Sequence, residues 1–209
     1  MHFPILEMYR QESLKNGGVP IWRIAETRPE DMRKTKHTIF TSLAYGVRGF
    51  RYGGALFDTN KRDKRGVPTP NEYGKAAAEI NRSLNAFAPV FETARNVDVF
   101  HTPPLPPGTK EAPADYWVRP TGAEIVMGDF ADPKGNHFLV VANRDAFAPH
   151  EAKLVFTDQT ITAILRMNEA TGKWEPAKTT RDGDTITVTL SLEDAGCDML
   201  GVKFKPKEQ

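Results

Sequence analysis

A single cysteine, Cys197, occurs in the 209 residues. One thiol excludes an internal disulfide and any cysteine-based metal site. It sits among strand-like residues and reads as a small buried side chain rather than a reactive group. Charge of one sign is also lacking: 28 Lys and Arg against 27 Asp and Glu leave a net charge of +1. Neither nucleic acid nor an anionic membrane is therefore expected as a partner. No apolar run approaches the roughly 18 residues needed to cross a bilayer. The first ten residues, Met1 to Arg10, lack a basic start, an apolar stretch and a small-residue cleavage site, so no signal peptide is expected in this chain. The five histidines are scattered without metal-ligand spacing. Gly53-Gly54 lacks the Lys-Ser/Thr of a phosphate loop, and no Gly-x-Ser-x-Gly elbow occurs. No metal and no cofactor are expected.

What is present divides by texture. Residues 1–96 alternate helical and short strand signals. Prolines crowd residues 97–114, where Thr102-Pro-Pro-Leu-Pro-Pro-Gly108 is followed by Pro113, and read as an extended, semi-rigid linker. Residues 115–209 read as strands and turns.

In the first part a helix is predicted from Phe3 to Asn16, stopped by Gly17-Gly18, then a strand over Val19–Ile24. Thr27-Arg28-Pro29-Glu30 forms a capping-box pattern that starts a second helix, with Met32, Ile39, Phe40 and Leu43 on one face and an end at Gly46. Gly49–Tyr52 is a second strand. Thr69-Pro70-Asn71-Glu72 is a second capping-box pattern, and its helix presents Tyr73, Ala77, Ile80, Leu84 and Phe87, with Pro89 kinking or restarting it. Strands alternating with helices imply parallel βα units. Two such strands leave edges and apolar helix faces uncovered; repacking against the last part or pairing with a second copy can cover them, and a homo-oligomer or a further barrel portion supplied from elsewhere is expected.

In the last part, strands are predicted over 124–130, 137–143, 152–156, 161–167, 185–190 and 199–204. Clear turns such as Asp132-Pro133-Lys134-Gly135 separate them, so a β-sandwich is expected. Trp117 or Trp174 is expected in its core or against the first part.

Three stretches of the first part carry a family resemblance. They are Ile21-Trp22-Arg23-Ile24-Ala25-Glu26, Phe40 through Tyr52 with its Leu-Ala-Tyr-Gly, and Glu79-Ile80-Asn81-Arg82-Ser83-Leu84 through Val90. Together they resemble the last βα units of bacterial TIM-barrel glycoside hydrolases of the retaining, β-galactosidase-like clan. Val126–Phe130, Val140–Arg144 and Thr171–Trp174 are similar to the β-sandwich that trails many of those barrels. The resemblance implies an α+β two-part fold: a partial (β/α) barrel segment, its last strands and helices, followed by an antiparallel β-sandwich. It also implies carbohydrate as partner, and a family that is usually exported.

Retaining glycosidases work with two carboxylates, an acid/base and a nucleophile. By the resemblance, Glu26 ends strand seven and is the candidate nucleophile; strand four, which carries the acid/base, is absent. The other reading of Glu26 is electrostatic, a carboxylate preceding a helix. Asp58 is a candidate ligand for a sugar hydroxyl, or a loop residue. Trp22, Tyr52 and Phe57 offer aromatic faces for sugar C–H surfaces, though Trp22 inside a strand also suits a core. Arg51 is placed to meet Glu26 or a sugar. The basic run Lys61–Arg65 reads as a solvated loop, with anion contact as the sharper alternative. Three functions remain open: a fragment of a glycosidase that binds carbohydrate, an oligomer that completes a hydrolase site, and a non-catalytic structural or interaction protein built on the sandwich.

Overall fold

The computed structural model describes residues 2–26 and 32–205. The first helix, α1, spans His2–Lys15. It ends where Gly17 and Gly18 take positive φ (74° and 82°) and the Gly18 amide donates to Ser13 O at 2.8 Å, as the glycine pair predicts. Strands β1 (Ile21–Glu26) and β2 (Val47–Gly53) pair in parallel, with helix α2 (Met32–Ala44) between them. The capping-box pattern Thr27–Glu30 lies outside the described residues.

A hairpin not expected from the sequence follows, β3 (Phe57–Arg62) with β4 (Pro68–Pro70). Its turn holds the end of the basic run, folded around Asp63, whose carboxylate accepts from the amides of Arg65 and Val67. The helix α3 (Glu72–Thr93) is capped by Asn71, which accepts from the Gly74 amide at 2.9 Å, and not by Thr69. Thr69 is already committed to β4, opposite Asp58, so the chain is still extended there. Pro89 lies inside α3, which continues past it.

All other strands are antiparallel. A six-stranded sheet runs β11-β10-β14-β8-β7-β5 and a four-stranded sheet runs β12-β13-β9-β6. Their ranges are β5 Arg95–His101, β6 Val118–Gly122, β7 Ile125–Ala131, β8 His137–Asn143, β9 His150–Phe156, β10 Ile161–Asn168, β11 Lys173–Pro176, β12 Thr179–Asp182, β13 Thr185–Leu192 and β14 Cys197–Phe204. The six strands predicted in the last part are all present. The sandwich begins earlier than expected, because β5 pairs with β7 ahead of the proline tract.

The chain is thus mixed α and β with mostly antiparallel sheets, stacked in three layers. Between the two large sheets lies one core, built on Met127, Leu139, Val141, Leu154, Val188 and Leu200. On the other side of the six-stranded sheet the helices form a second core, where Ile39, Phe40, Leu43, Phe87 and Val90 meet Val126, Phe130, Val140 and Met199. Neighbouring residues of β7 therefore serve opposite cores: Ile125 and Met127 one, Val126 and Phe130 the other. A strand covered on both faces reads as an unbroken apolar run rather than an alternating one.

This packing changes the expectation about uncovered helix faces. Ile39, Phe40, Leu43, Ile80 and Phe87 are each at most 5% exposed within one chain, and Leu84 packs against the same core. At roughly 1.5–3 kcal/mol per buried side chain, packing against the six-stranded sheet stabilises these faces within one chain. Trp117 joins the core between the sheets, and Trp174 covers Gly201 and Phe138 on the helix side. Barrel closure is not seen: among the described residues β1 and β2 pair only with each other.

Candidate functional site

In β1, alternation puts Trp22, Ile24 and Glu26 on one face and Ile21, Arg23 and Ala25 on the other. The parallel register sets Trp22 beside Gly49, Ile24 beside Arg51 and Glu26 beside Gly53. Helices cover the second face, where Ala25 is fully buried. The first face is open: Trp22 is 74% exposed and Ile24 60%.

Glycine on β2 shapes that face. A Cβ at Gly49 would stand 2.3 Å from Trp22 Cδ2 and 2.4 Å from Cε3, so the indole lies flat across the glycine backbone. A Cβ at Gly53 would touch Ile24 Cγ2 at 3.4 Å. Trp22, Glu26 and Arg51 therefore share one open face. Tyr52 stands on the opposite face, where its hydroxyl donates to Asn81 Oδ1 at 2.8 Å and burial pushes its phenol up to about 12. Phe57 and Asp58 lie on the β3–β4 hairpin instead. Phe57 is exposed; Asp58 accepts from the Asn60 amide and stands 3.5 Å from Lys61 Nζ.

The C-terminal end of β1 opens on a hollow of about 430 Å³ lined by His2, Arg23, Glu26, Lys34 and His37 among others. Glu26 is the only carboxylate lining it among the described residues. Its backbone carbonyl accepts from Thr35 Oγ1 at 2.7 Å, which ties the strand end to α2. Retaining chemistry needs a second carboxyl about 5–5.5 Å away. The hollow offers cations and imidazoles in its place.

Burial keeps the imidazoles neutral. His2 is pushed down to about 3, first by burial and then by the Arg23 charge. His37 is lowered as well, mainly by burial, although its Nε2 lies 2.9 Å from Arg144 O.

A larger cleft of about 670 Å³ lies elsewhere, between α2, α3 and the β10 and β14 end of the six-stranded sheet. Sequence reasoning did not find it, because its residues come from distant strands and form no motif. On its floor Arg166 meets Asp198 at 2.6 Å. Burial pushes the Asp198 carboxyl up to about 6, with Arg166 pulling the other way. Ser83 donates to Glu169 across one end, and Lys36 reaches Glu193 at 3.4 Å across the other. Burial pushes the Cys197 thiol up, which suits an inert side chain. The one sequence signal was a charged residue inside each of two apolar strands. The smaller hollow is the stronger candidate, because Ile24 and Glu26 belong both to it and to the open face bearing Trp22.

No protein-family model matches the chain, and no curated protein does. Among solved structures it is similar to the catalytic domain of GH30 xylanase C from Talaromyces cellulolyticus, at 12% identity and a TM-score of 0.41, covering 88% of this chain and 41% of that one. It is similar to the rhamnosidase from Novosphingobium sp. PP1Y at 12% identity and 0.34, covering 84% and 16%. The GH51 arabinofuranosidase from Xanthomonas axonopodis pv. citri matches at 14% identity and 0.38, covering 82% and 35%. These neighbours are glycoside hydrolases, and the chain spans between 16% and 41% of their lengths.

Proposed function

We propose that this chain is a glycoside hydrolase-related unit that binds carbohydrate on the open face of β1 and β2 and is not a self-sufficient hydrolase. The observation that carries the reading is Trp22, held flat on Gly49 with most of its surface facing solvent. A large apolar ring is normally buried, and one fixed in the open on a strand is a ready surface for a ligand. The C–H face of a sugar stacks on such a ring, while Glu26 accepts from hydroxyls and Arg51 donates to them.

Titration with neutral β-linked galacto- and xylo-oligosaccharides, followed by tryptophan fluorescence, tests this. A saturable response is expected that Trp22→Ala abolishes. Gly49→Ala lifts the indole from the sheet and weakens binding by roughly tenfold, about 1.4 kcal/mol. No response from the intact chain, or an unchanged one from Trp22→Ala, overturns the reading. Aryl glycosides are turned over little or not at all, since general acid–base help alone is worth about 10²–10⁴-fold and no second carboxylate lines the hollow among the described residues. Robust turnover abolished by Glu26→Gln would reverse that part.

Among the described residues β1 and β2 form a sheet of only two strands, which supports a second reading, in which further βα units or a second copy extend the parallel sheet and complete a site. Light scattering at micromolar concentration separates the two sources. A mass of 23.3 kDa removes the second copy and leaves only further βα units.

A further inference from the structure

We propose that the hollow at the end of β1 is a binding site for a small oxyanion, built on Arg23, and that it takes the carboxylate of an acidic sugar. The sugar half rests on the carbohydrate reading above; the oxyanion half stands independently.

The argument starts from a chain of hydrogen bonds. Thr41 Oγ1 donates to His37 O at 2.6 Å, which uses its one proton. His2 Nε2, 2.8 Å from the same oxygen, must therefore donate to it. In a neutral imidazole Nδ1 is then an acceptor, and Arg23 Nη2 donates to it at 2.9 Å. Ser42 Oγ likewise donates to Thr38 O, so it accepts from Arg23 Nη1 at 2.9 Å. Both relays run from the guanidinium through neutral groups to backbone carbonyls of α2.

This arrangement fixes where the guanidinium lies without neutralising it. Arg23 is half-buried and, among the described residues, meets no carboxylate. Other buried guanidinium groups here are treated differently. Arg10 has Glu7 at 2.8 Å and Asp98 at 3.6 Å. Arg144 spends its donors on the carbonyls of Thr102, Pro104 and Ile125. Arg23, which lines the open hollow, uses two of its five N–H donors in these bonds. A charge taken partly out of water without a partner is costly, and an anion in the hollow removes that cost.

The other groups facing the hollow agree in sign. Lys34 on α2 adds a second cation, while His2 and His37 are neutral. Among the described residues lining the hollow Glu26 is the one opposing charge, and it sits at the exposed strand end. A bidentate fork matches a planar carboxylate. Ile24 and Glu26, at the open end of β1, line the hollow as well as the Trp22 face, so the two sites adjoin at the strand end while Arg23 itself lies on the helix-covered face.

The test uses the full chain and three probes: glucuronate, glucose and inorganic phosphate. Binding is read by calorimetry and by the imidazole signals of His2 and His37 in NMR spectra. Glucuronate is expected to bind at least tenfold more tightly than glucose and to shift both imidazoles. Arg23→Gln should erase that preference, and Arg23→Lys should keep part of it. Should Arg23→Gln fail to fold, Lys34→Gln, which leaves the relays intact, should still weaken glucuronate several-fold. Phosphate binding equal to glucuronate and lost in Arg23→Gln supports the oxyanion site and overturns the acidic sugar. Neutral sugar binding with no anion preference overturns the site and spares the carbohydrate reading. Anion binding that persists in both variants overturns the assignment to Arg23.

Discussion

Lowering the pH from 7 to 4 will lower the folding stability, and buried His101 will be the largest single contributor to the loss. His101 is 1% exposed, with Tyr45 Oη 2.7 Å from its Nε2 and the Phe3 ring at its edge. Burial, then the charge of Arg144, then His2, pushes it down to about 3. The folded value lies below the unfolded one near 6.5, so the unfolded chain binds the proton more readily. This contribution is complete above pH 6.5 and is lost as the pH falls toward 3, where the native imidazole also protonates. At pH 4, His101 alone accounts for roughly 3 kcal/mol. His2 moves the same way to about 3 but is partly exposed and counts for less; His37 is lowered too. Asp198 works against them. Its carboxyl is raised to about 6, so the native state gains stability as the pH falls through 6, by about 2 kcal/mol at pH 4. The lowered carboxyls of Glu7, Asp132 and Asp145 lose stability in the same direction as the imidazoles, so the net is a loss. Urea unfolding at several pH values between 4 and 7 measures it. His101→Gln should flatten the slope by close to one proton, and an unchanged slope would remove His101 from the account.

How much of this was legible in the sequence depended on where each residue finds its partners. The strands of the sandwich were, because turns such as Asp132–Gly135 are local chemistry and strands such as Thr185–Leu192 carry their own pattern. Strand β5 was not: Arg95–His101 alternates weakly and stands between a helix and a proline tract. Strands β11 and β12 lie at sheet edges, largely exposed, and so carry little apolar pattern to read. The third helix was placed correctly, but its cap was assigned to Thr69 because a hairpin that consumes Thr69 was not foreseen. Trp22, Glu26 and Arg51 were singled out by residue type, and period-two alternation in a parallel pair brings them to one face. Tyr52 fails by that same alternation, being one residue from Arg51. The role of Arg23 was invisible, since its partners His2 and Ser42 come from two other elements. The largest gap concerned what the helices pack on. An amphipathic helix declares that one face must be buried and says nothing about the surface that buries it.

Gly128 marks that surface, and Gly128→Ala will be among the most destabilising single-methyl changes in the chain. A Cβ there would stand 2.0 Å from Ala44 O, 2.8 Å from Ala44 C and 2.9 Å from Ala44 Cα. All three atoms are backbone, at the last residue of α2, so no rotamer change relieves the clash. Either β7 or the end of α2 must move. Both sit in the core where Leu43, Tyr45 and Val47 meet Val126 and Phe130, so separation by even an ångström opens gaps on each side. Overpacking a core by one methyl typically costs about 1–3 kcal/mol; with a backbone wall on the far side, a loss of about 3 kcal/mol or more is expected. Gly135→Ala isolates the other reason a glycine can be required. Its φ is +80° and nothing lies within 4 Å of its Cβ position, so only backbone preference is at stake, about 1 kcal/mol. Gly128, in a strand at ordinary φ, carries no such preference, and its whole effect is steric. Chemical denaturation of the two variants should therefore rank Gly128→Ala well below Gly135→Ala. Equal losses, or a Gly128→Ala variant as stable as the parent, would mean that α2 does not rest on β7 and that the helices and the sandwich do not share a core.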